Sequence, residues 1–270
     1  MNYEEIIDTV INNLANKKDL LIAQWNEKRD IETRFFFVDE LLPESVAKNL
    51  YDDFLNSNVD WNRQVSFRET KSNFAKVDSL NNLIPIITDL FQDQRIINLI
   101  EEITDFKELD ADPNLYAGGI SKMAMNDFLN PHIDNSHDSR RKRYRRLNLL
   151  FYVTPDWIES NGGNLLLWDE KVIENLTILS KFNRLVVMET NQNSWHSVNP
   201  ITIKKERFCL SNYYFSKNSP EDYEYYHVTS FSGRREQKFI RIFSNFDNFL
   251  RQKFSYYSGL SRGKNLSRFK

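Results

Sequence analysis

Between residues 119 and 215 the chain breaks into short apolar runs bounded by turn residues: 119–124, 128–134, 147–154, 164–168, 176–179, 185–190, 195–199 and 208–215. Runs of four to eight residues rich in β-branched and aromatic side chains read as strands, and Asn161-Gly162-Gly163 reads as a turn between two of them. Eight short strands in about 100 residues point to a double-sheet jelly roll, in which two sheets face each other and one end stays open. The aromatic share of 14% favours strands and a packed interior.

The flanks read differently. Residues 3–30 carry Ile6, Ile7, Val10, Ile11, Leu14, Leu21, Ile22 and Trp25 at helical spacing, which predicts one or two amphipathic helices. Residues 34–38 read as a strand, and Pro43-Glu44-Ser45 opens a helix through Phe54. Strand pieces are expected in 59–77, and helices at 83–90 and 95–103. Beyond Ser216 a helix-like run spans 239–254, and the basic, polar end from Leu260 onward is expected to be mobile. The expected fold is therefore mainly β with flanking helices, a double-stranded β-helix in one domain. Residues 1–115 form a helical and mixed support region, 116–216 the core, and 217–270 a partly helical extension with a basic end.

At 270 residues the chain can bury one full core. A formal net charge of −2 supplies no global field for nucleic acid or membrane, and neither is expected as a partner. The single cysteine, Cys209, excludes an intrachain disulfide, and with no signal-like or spanning run a soluble cytoplasmic protein is expected. Charge is nonetheless uneven. Residues 1–60 hold thirteen acids and six bases, whereas 234–270 hold ten bases and two acids. Two solvated helical faces would account for this, as would a basic tail for an anionic partner.

Two histidines carry the chemistry. His132 and Asp134 sit in Pro131-His132-Ile133-Asp134, His196 lies 62 residues beyond Asp134, and Arg207 follows eleven residues later. Strand side chains alternate faces, so His132 and Asp134 point the same way. A distant strand folded alongside can add His196. Two imidazoles and one carboxylate suit non-haem Fe(II) and leave open positions for a co-substrate and O2. A keto acid such as 2-oxoglutarate, chelating such a metal, needs a cation for its far carboxylate, and the arginine fork matches it. Arg207 opens a strand whose same face holds Cys209, Ser211 and Tyr213, whereas its rivals Lys204 and Lys205 read as hairpin-turn residues. On 147–154, Asn148, Leu150 and Tyr152 share the face expected toward the site, and the other face is apolar. From the residues alone, Tyr152 is equally well a carboxylate-binding phenol or a core tyrosine with a satisfied hydroxyl. His137 reads as a loop residue and His227 as structural or surface.

These residues resemble the prolyl 4-hydroxylase-like branch of the Fe(II)/2-oxoglutarate dioxygenases. The resemblance runs in order from about 116 to 216, through His132-Ile133-Asp134-Asn135, Leu149-Leu150-Phe151-Tyr152-Val153, Gly162-Gly163-Asn164-Leu165, Asn183-Arg184-Leu185-Val186-Val187, Trp195-His196-Ser197-Val198 and Arg207. It implies Fe(II), 2-oxoglutarate, O2 and ascorbate-responsive hydroxylation. It assigns the metal to His132, Asp134 and His196, and the far carboxylate of 2-oxoglutarate to Arg207 with Tyr152. Where such enzymes engage substrate, this chain has Arg145 and Tyr213. The chain differs in a short loop before His132 and a long extension after Ser216.

A peptidyl proline is the first substrate expected, ahead of a free small molecule. The basic run Arg140-Arg141-Lys142-Arg143-Tyr144-Arg145-Arg146 is either a solvated loop or a cradle for an anionic substrate near the site mouth. Two other classes compete: a non-catalytic jelly-roll binding module, which has no need of all four site residues, and a nucleic-acid demethylase, which lacks a recognition motif here.

Overall fold

The computed structural model describes residues 2–258. Six α-helices are present among them: α1 (Tyr3–Asn16), α2 (Lys18–Asn26), α3 (Glu44–Asn56), α4 (Leu83–Leu90), α5 (Gln94–Thr104) and α6 (Lys238–Ser258). The strands of the N-terminal part are β1 (Phe35–Asp39), β2 (Asn62–Val65), β3 (Glu69–Phe74) and β4 (Asp110–Ala111). The core adds β5 (Gly119–Met123), β6 (Phe128–Ile133), β7 (Tyr144–Tyr152), β8 (Leu165–Trp168), β9 (Asn175–Ile178), β10 (Arg184–Glu189), β11 (His196–Val198) and β12 (Arg207–Ser216), and β13 (Ser230–Phe231) follows. All eight expected core strands are present. The mobile end expected from Leu260 lies outside the described residues.

The strands form one curled antiparallel sheet in the order β1-β10-β7-β12-β5-β3-β6-β11-β8-β9. The run from β1 to β5 makes one wall of the double-stranded β-helix, and β6, β11, β8 and β9 make the other. β3 closes one side by pairing with both β5 and β6. The N-terminal region is thus more than support: β1 extends one wall against β10, and β3 is part of the barrel.

Helices α1 to α5 cover the outer face of the first wall. α1 starts at a capping box in which Asn2 and Glu5 satisfy each other's backbone N–H, so two donors that the helix leaves open are used. Its Ile6, Ile7, Val10 and Leu14 are buried with Ile96, Ile100 and Ile103 of α5 against Leu149 and Phe151 of β7 and Leu210 of β12. Alternation then dictates the rest. With Leu147, Leu149, Phe151 and Val153 in that core, Asn148, Leu150 and Tyr152 must face inward, between the walls.

Two boundaries differ from expectation. β6 stops at Ile133, so Asp134 leaves the ladder just past the strand end. β7 begins at Tyr144, so Arg145 and Arg146 belong to a strand and not to the basic loop.

Candidate active site

A polar cavity lies between the walls, lined by His132, Asp134, Asn148, Leu150, Tyr152, His196, Arg207, Cys209, Ser211 and Tyr213 among others. It continues outward into a second chamber that shares Lys71, Asn73, His132, Asp134 and Tyr213 and adds Gln64, Glu69, Thr229 and Phe231. The expected inward set of β12, Arg207 with Cys209, Ser211 and Tyr213, lines the cavity. Lys205 instead donates to the Pro155 carbonyl at 2.7 Å.

At one end the register of β6 against β11 sets His132 opposite His196, with ring centroids 4.0 Å apart. His132 Nε2 is 3.6 Å from Asp134 Oδ1, and His196 Nε2 is 3.9 Å from Asp134 Oδ2. One ligand atom from each of the three lies within 4.8 Å of the others, so the group could hold a metal ion. The far ring nitrogens are already engaged: His132 Nδ1 meets the Asn130 carbonyl at 3.1 Å and His196 Nδ1 the Ser194 carbonyl at 2.9 Å. Since a carbonyl only accepts, each Nδ1 carries the proton and each Nε2 presents a lone pair toward the carboxylate, the tautomer a metal requires. Burial, and then His196, push the His132 pKa down to about 3, so the ring is neutral at ordinary pH.

Burial by itself would raise the Asp134 pKa. The Arg145 guanidinium outweighs it and holds the carboxyl well below the usual range. Arg145 Nη1 lies 3.1 Å from Asp134 Oδ2, and its guanidinium stacks 3.8 Å from the centroid of Tyr213. Arg145 is 1% exposed and lines neither chamber. Of the two residues that the resemblance assigned to substrate, only Tyr213 reaches the cavity. The basic run is likewise no single cradle: Arg143 pairs with Asp138, Arg141 donates to the Ser255 carbonyl, and Arg146 stacks on Phe106.

At the other end Arg207, 4% exposed, donates through Nη1 to the Gly163 carbonyl at 3.0 Å and through Nη2 to Met123 Sδ at 3.1 Å. Among the described residues its Nε has no hydrogen-bond partner, and no carboxylate lies within ion-pair distance. The Tyr152 ring lies 5.2 Å from the guanidinium, and burial pushes its phenol up to about 12, so it stays a donor. Asn148 Oδ1 is buried without a partner among the described residues. The Gly162-Gly163 turn builds this end: at φ 71° and 67° both occupy backbone space that favours glycine, and a Cβ on Gly162 would sit 1.9 Å from the Pro200 carbonyl oxygen.

Lys71, Asn73 and Glu69 of β3 are wall residues that sequence reasoning missed. Both faces of Glu69-Thr70-Lys71-Ser72-Asn73-Phe74 are largely polar, so alternation carried no signal there. The two remaining histidines lie beside the metal end. His137, expected in a loop, is buried and bridged to Tyr144. His227 is largely buried with its pKa down to about 4, and its Nδ1 faces the Val228 carbonyl at 3.3 Å.

Residues 118–215 match the sequence profile of the 2OG-Fe(II) oxygenase superfamily. No curated protein matches the chain. Among solved structures, a prolyl hydroxylase from Trichoplax adhaerens in complex with a hypoxia inducible factor oxygen degradation domain peptide superposes with a TM-score of 0.55 at 16% identity, covering 76% of this chain and 91% of that one. A prolyl-4-hydroxylase from Pseudomonas putida gives 0.51 at 14%, covering 76% and 100%. The non-haem α-ketoglutarate-dependent epimerase of nogalamycin biosynthesis gives 0.51 at 13%, covering 75% and 84%. At such identities these likenesses establish the double-stranded β-helix fold. Over its core at residues 118–215 the chain is thus similar in sequence to the 2OG-Fe(II) oxygenase superfamily.

Proposed function

We propose that this protein is an Fe(II)/2-oxoglutarate-dependent hydroxylase in which His132, Asp134 and His196 hold the metal and Arg207, with Tyr152 and Asn148, holds the far end of 2-oxoglutarate. The observation that carries the reading is the polarity of a single cavity. Two imidazole Nε2 atoms and a carboxylate converge at one end, and a buried arginine that no carboxylate among the described residues pairs with lies at the other.

The donor set fits the group. Nitrogen, nitrogen and carboxylate oxygen from His132, His196 and Asp134 would hold Fe(II) as three protein ligands, a set that leaves positions for a keto acid and O2. Iron with 2-oxoglutarate and O2 supplies an oxidant able to attack an unactivated C–H, with succinate and CO2 as co-products. The protein's own groups do the rest. The backbone carbonyls of Asn130 and Ser194 hold both imidazoles in one tautomer. Arg145 keeps the Asp134 carboxylate charged and oriented from behind. Arg207 and the protonated Tyr152 fix the length of co-substrate that fits, because its far carboxylate must reach them while its other end reaches the metal. The outer chamber, walled by Lys71, Asn73, Thr229 and Phe231, receives the substrate beside Tyr213.

Within this reading a peptidyl proline ranks above a free, anionic small molecule, on the resemblance of the core motifs. The anionic alternative draws on Lys71 in the outer wall. Ascorbate is expected to sustain turnover by keeping the iron reduced, and Cys209, buried and reduced, fits a cytoplasmic setting. The test is succinate formation from 2-oxoglutarate by the purified chain with Fe(II), ascorbate and air, beside His132→Ala. Iron-dependent succinate that the variant loses supports the assignment. Absence of succinate, together with no anaerobic 2-oxoglutarate binding in the presence of Fe(II), would leave a non-catalytic jelly-roll binding module.

A further inference from the structure

Helix α6 is turned inside out. Its polar side docks on the protein, against the backbone of residues 226–231. Asn248 accepts from the Phe231 N–H at 2.9 Å and donates to the Phe231 carbonyl at 2.7 Å. Gln252 does the same for the Val228 N–H and the Tyr226 carbonyl, each at 2.9 Å, and Arg251 donates to the Thr229 carbonyl at 2.7 Å. Asp247 is tied to Arg68 and Arg251. These bonds take up the open edge of the short strand beside β6, so the helix has a specific seat.

Its apolar side faces out. Phe239, Ile242, Phe243, Phe246, Phe249, Leu250 and Tyr257 recur at helical spacing along one stripe and are 49% to 90% exposed. Amphipathic helices on globular domains turn this stripe inward, and a contiguous exposed apolar patch of this kind marks an interaction surface.

We propose that α6 is a membrane-surface helix that seats the protein on an anionic bilayer, with its aromatic stripe in the headgroup region. Charge chooses this occupant over a second copy of the chain. Exposed Lys238 flanks the stripe, exposed Lys253 lies within it with its ammonium 4.6 Å from the centroid of the Phe249 ring, and the helix's one carboxylate, Asp247, lies on the docked side. Residues 234–258 carry six bases and two acids, and the sequence from 259 to 270 adds four bases and no acid. Two copies of such a face would bring like charges together, whereas anionic lipid takes up the apolar stripe and the lysines at once. Among the described residues no helix is long and apolar enough to cross a membrane, so α6 lies in the interface plane. Because its polar groups are satisfied by the protein, it can enter the headgroup layer without leaving its seat. The net charge of −2 conceals this, since the acids of residues 1–60 offset the basic end.

The experiment is sedimentation of the full chain with vesicles of phosphatidylcholine alone and of phosphatidylcholine with phosphatidylserine. Two variants are compared with the parent, Ile242→Ser/Phe246→Ser/Phe249→Ser and Lys238→Glu/Lys253→Glu. All five positions are exposed, so the fold is spared. The expected result is pelleting that requires phosphatidylserine and weakens about tenfold or more in either variant. Three results would overturn the proposal: no pelleting with phosphatidylserine vesicles, equal pelleting with both vesicle types, or a dimer in solution that the triple serine variant turns into a monomer.

Discussion

The two ends of the cavity each bury an arginine, and the two are balanced differently. At the metal end Arg145 meets a carboxylate, Asp134, so the charge is compensated within the protein. At the far end Arg207 is held by the Gly163 carbonyl, the Ser180 hydroxyl and the Met123 thioether, and among the described residues no carboxylate pairs with it. A buried charge without a partner is costly. The contrast agrees with the roles proposed above, Arg145 holding the carboxylate of Asp134 in place and Arg207 receiving an anion from outside.

Breaking the compensated end should cost most. Asp134→Ala is expected to abolish succinate formation and also to strand Arg145, lowering stability by about 3–5 kcal/mol, the range for breaking a buried pair. His196→Ala should abolish activity with a far smaller loss, because no buried charge is orphaned. Urea unfolding of the metal-free proteins checks this, and equal losses would erase the distinction. At the uncompensated end the effect should fall on ligand and not on fold. Arg207→Ala is expected to weaken anaerobic 2-oxoglutarate binding roughly 100-fold, about the worth of two hydrogen bonds to a charged group. Iron affinity should be unchanged, and an unaltered affinity for 2-oxoglutarate would remove the assignment.

Smaller changes sharpen the same contrast. Gly163→Ala would set a Cβ 3.2 Å from Arg207 Cδ in a backbone conformation that favours glycine. It should weaken 2-oxoglutarate by about tenfold (~1.4 kcal/mol) through Arg207 position while leaving iron binding intact, as titration would reveal. A pH-dependent effect lies beside the metal end. His227 is kept neutral by burial, its pKa lowered from 6.5 to about 4. Between those values the unfolded chain binds the proton that the folded one refuses, so stability falls as pH drops, by up to about 1.4 kcal/mol per pH unit for this group. His227→Phe should therefore lose less Tm than the parent between pH 6.5 and 4.5, and parallel Tm curves would contradict it.

The core strands and the inward face of each were legible because period-2 alternation is strong where one face is apolar. Leu147, Leu149, Phe151 and Val153 left Asn148 and Tyr152 no other direction. The same reasoning failed on β3, polar on both faces, and so Lys71 and Asn73 went unseen in the cavity wall. It also misread Arg145 and Arg146. Six bases in seven residues read as a solvated or substrate-facing run, but β7 begins at Tyr144, and a register shift against β12 at Arg146 breaks the alternation, so that Arg145 lies against Tyr213 and Arg146 on Phe106. In α6 the helical period was legible, but which side it buries was not. Periodicity marks two faces and leaves open which one meets the protein.

What the sequence determined by itself was local and chemical: the number and phase of the strands, the three candidate ligand groups at workable spacing, and a cation eleven residues beyond the second histidine. The tertiary structure decided what depends on long-range pairing. It set His132 opposite His196 across β6 and β11 and put Arg145 behind Asp134. It also brought β3 into the barrel and turned the polar side of α6 inward. Those outcomes turn on which backbone edges and buried charges meet partners from distant segments, and no local pattern encodes that choice.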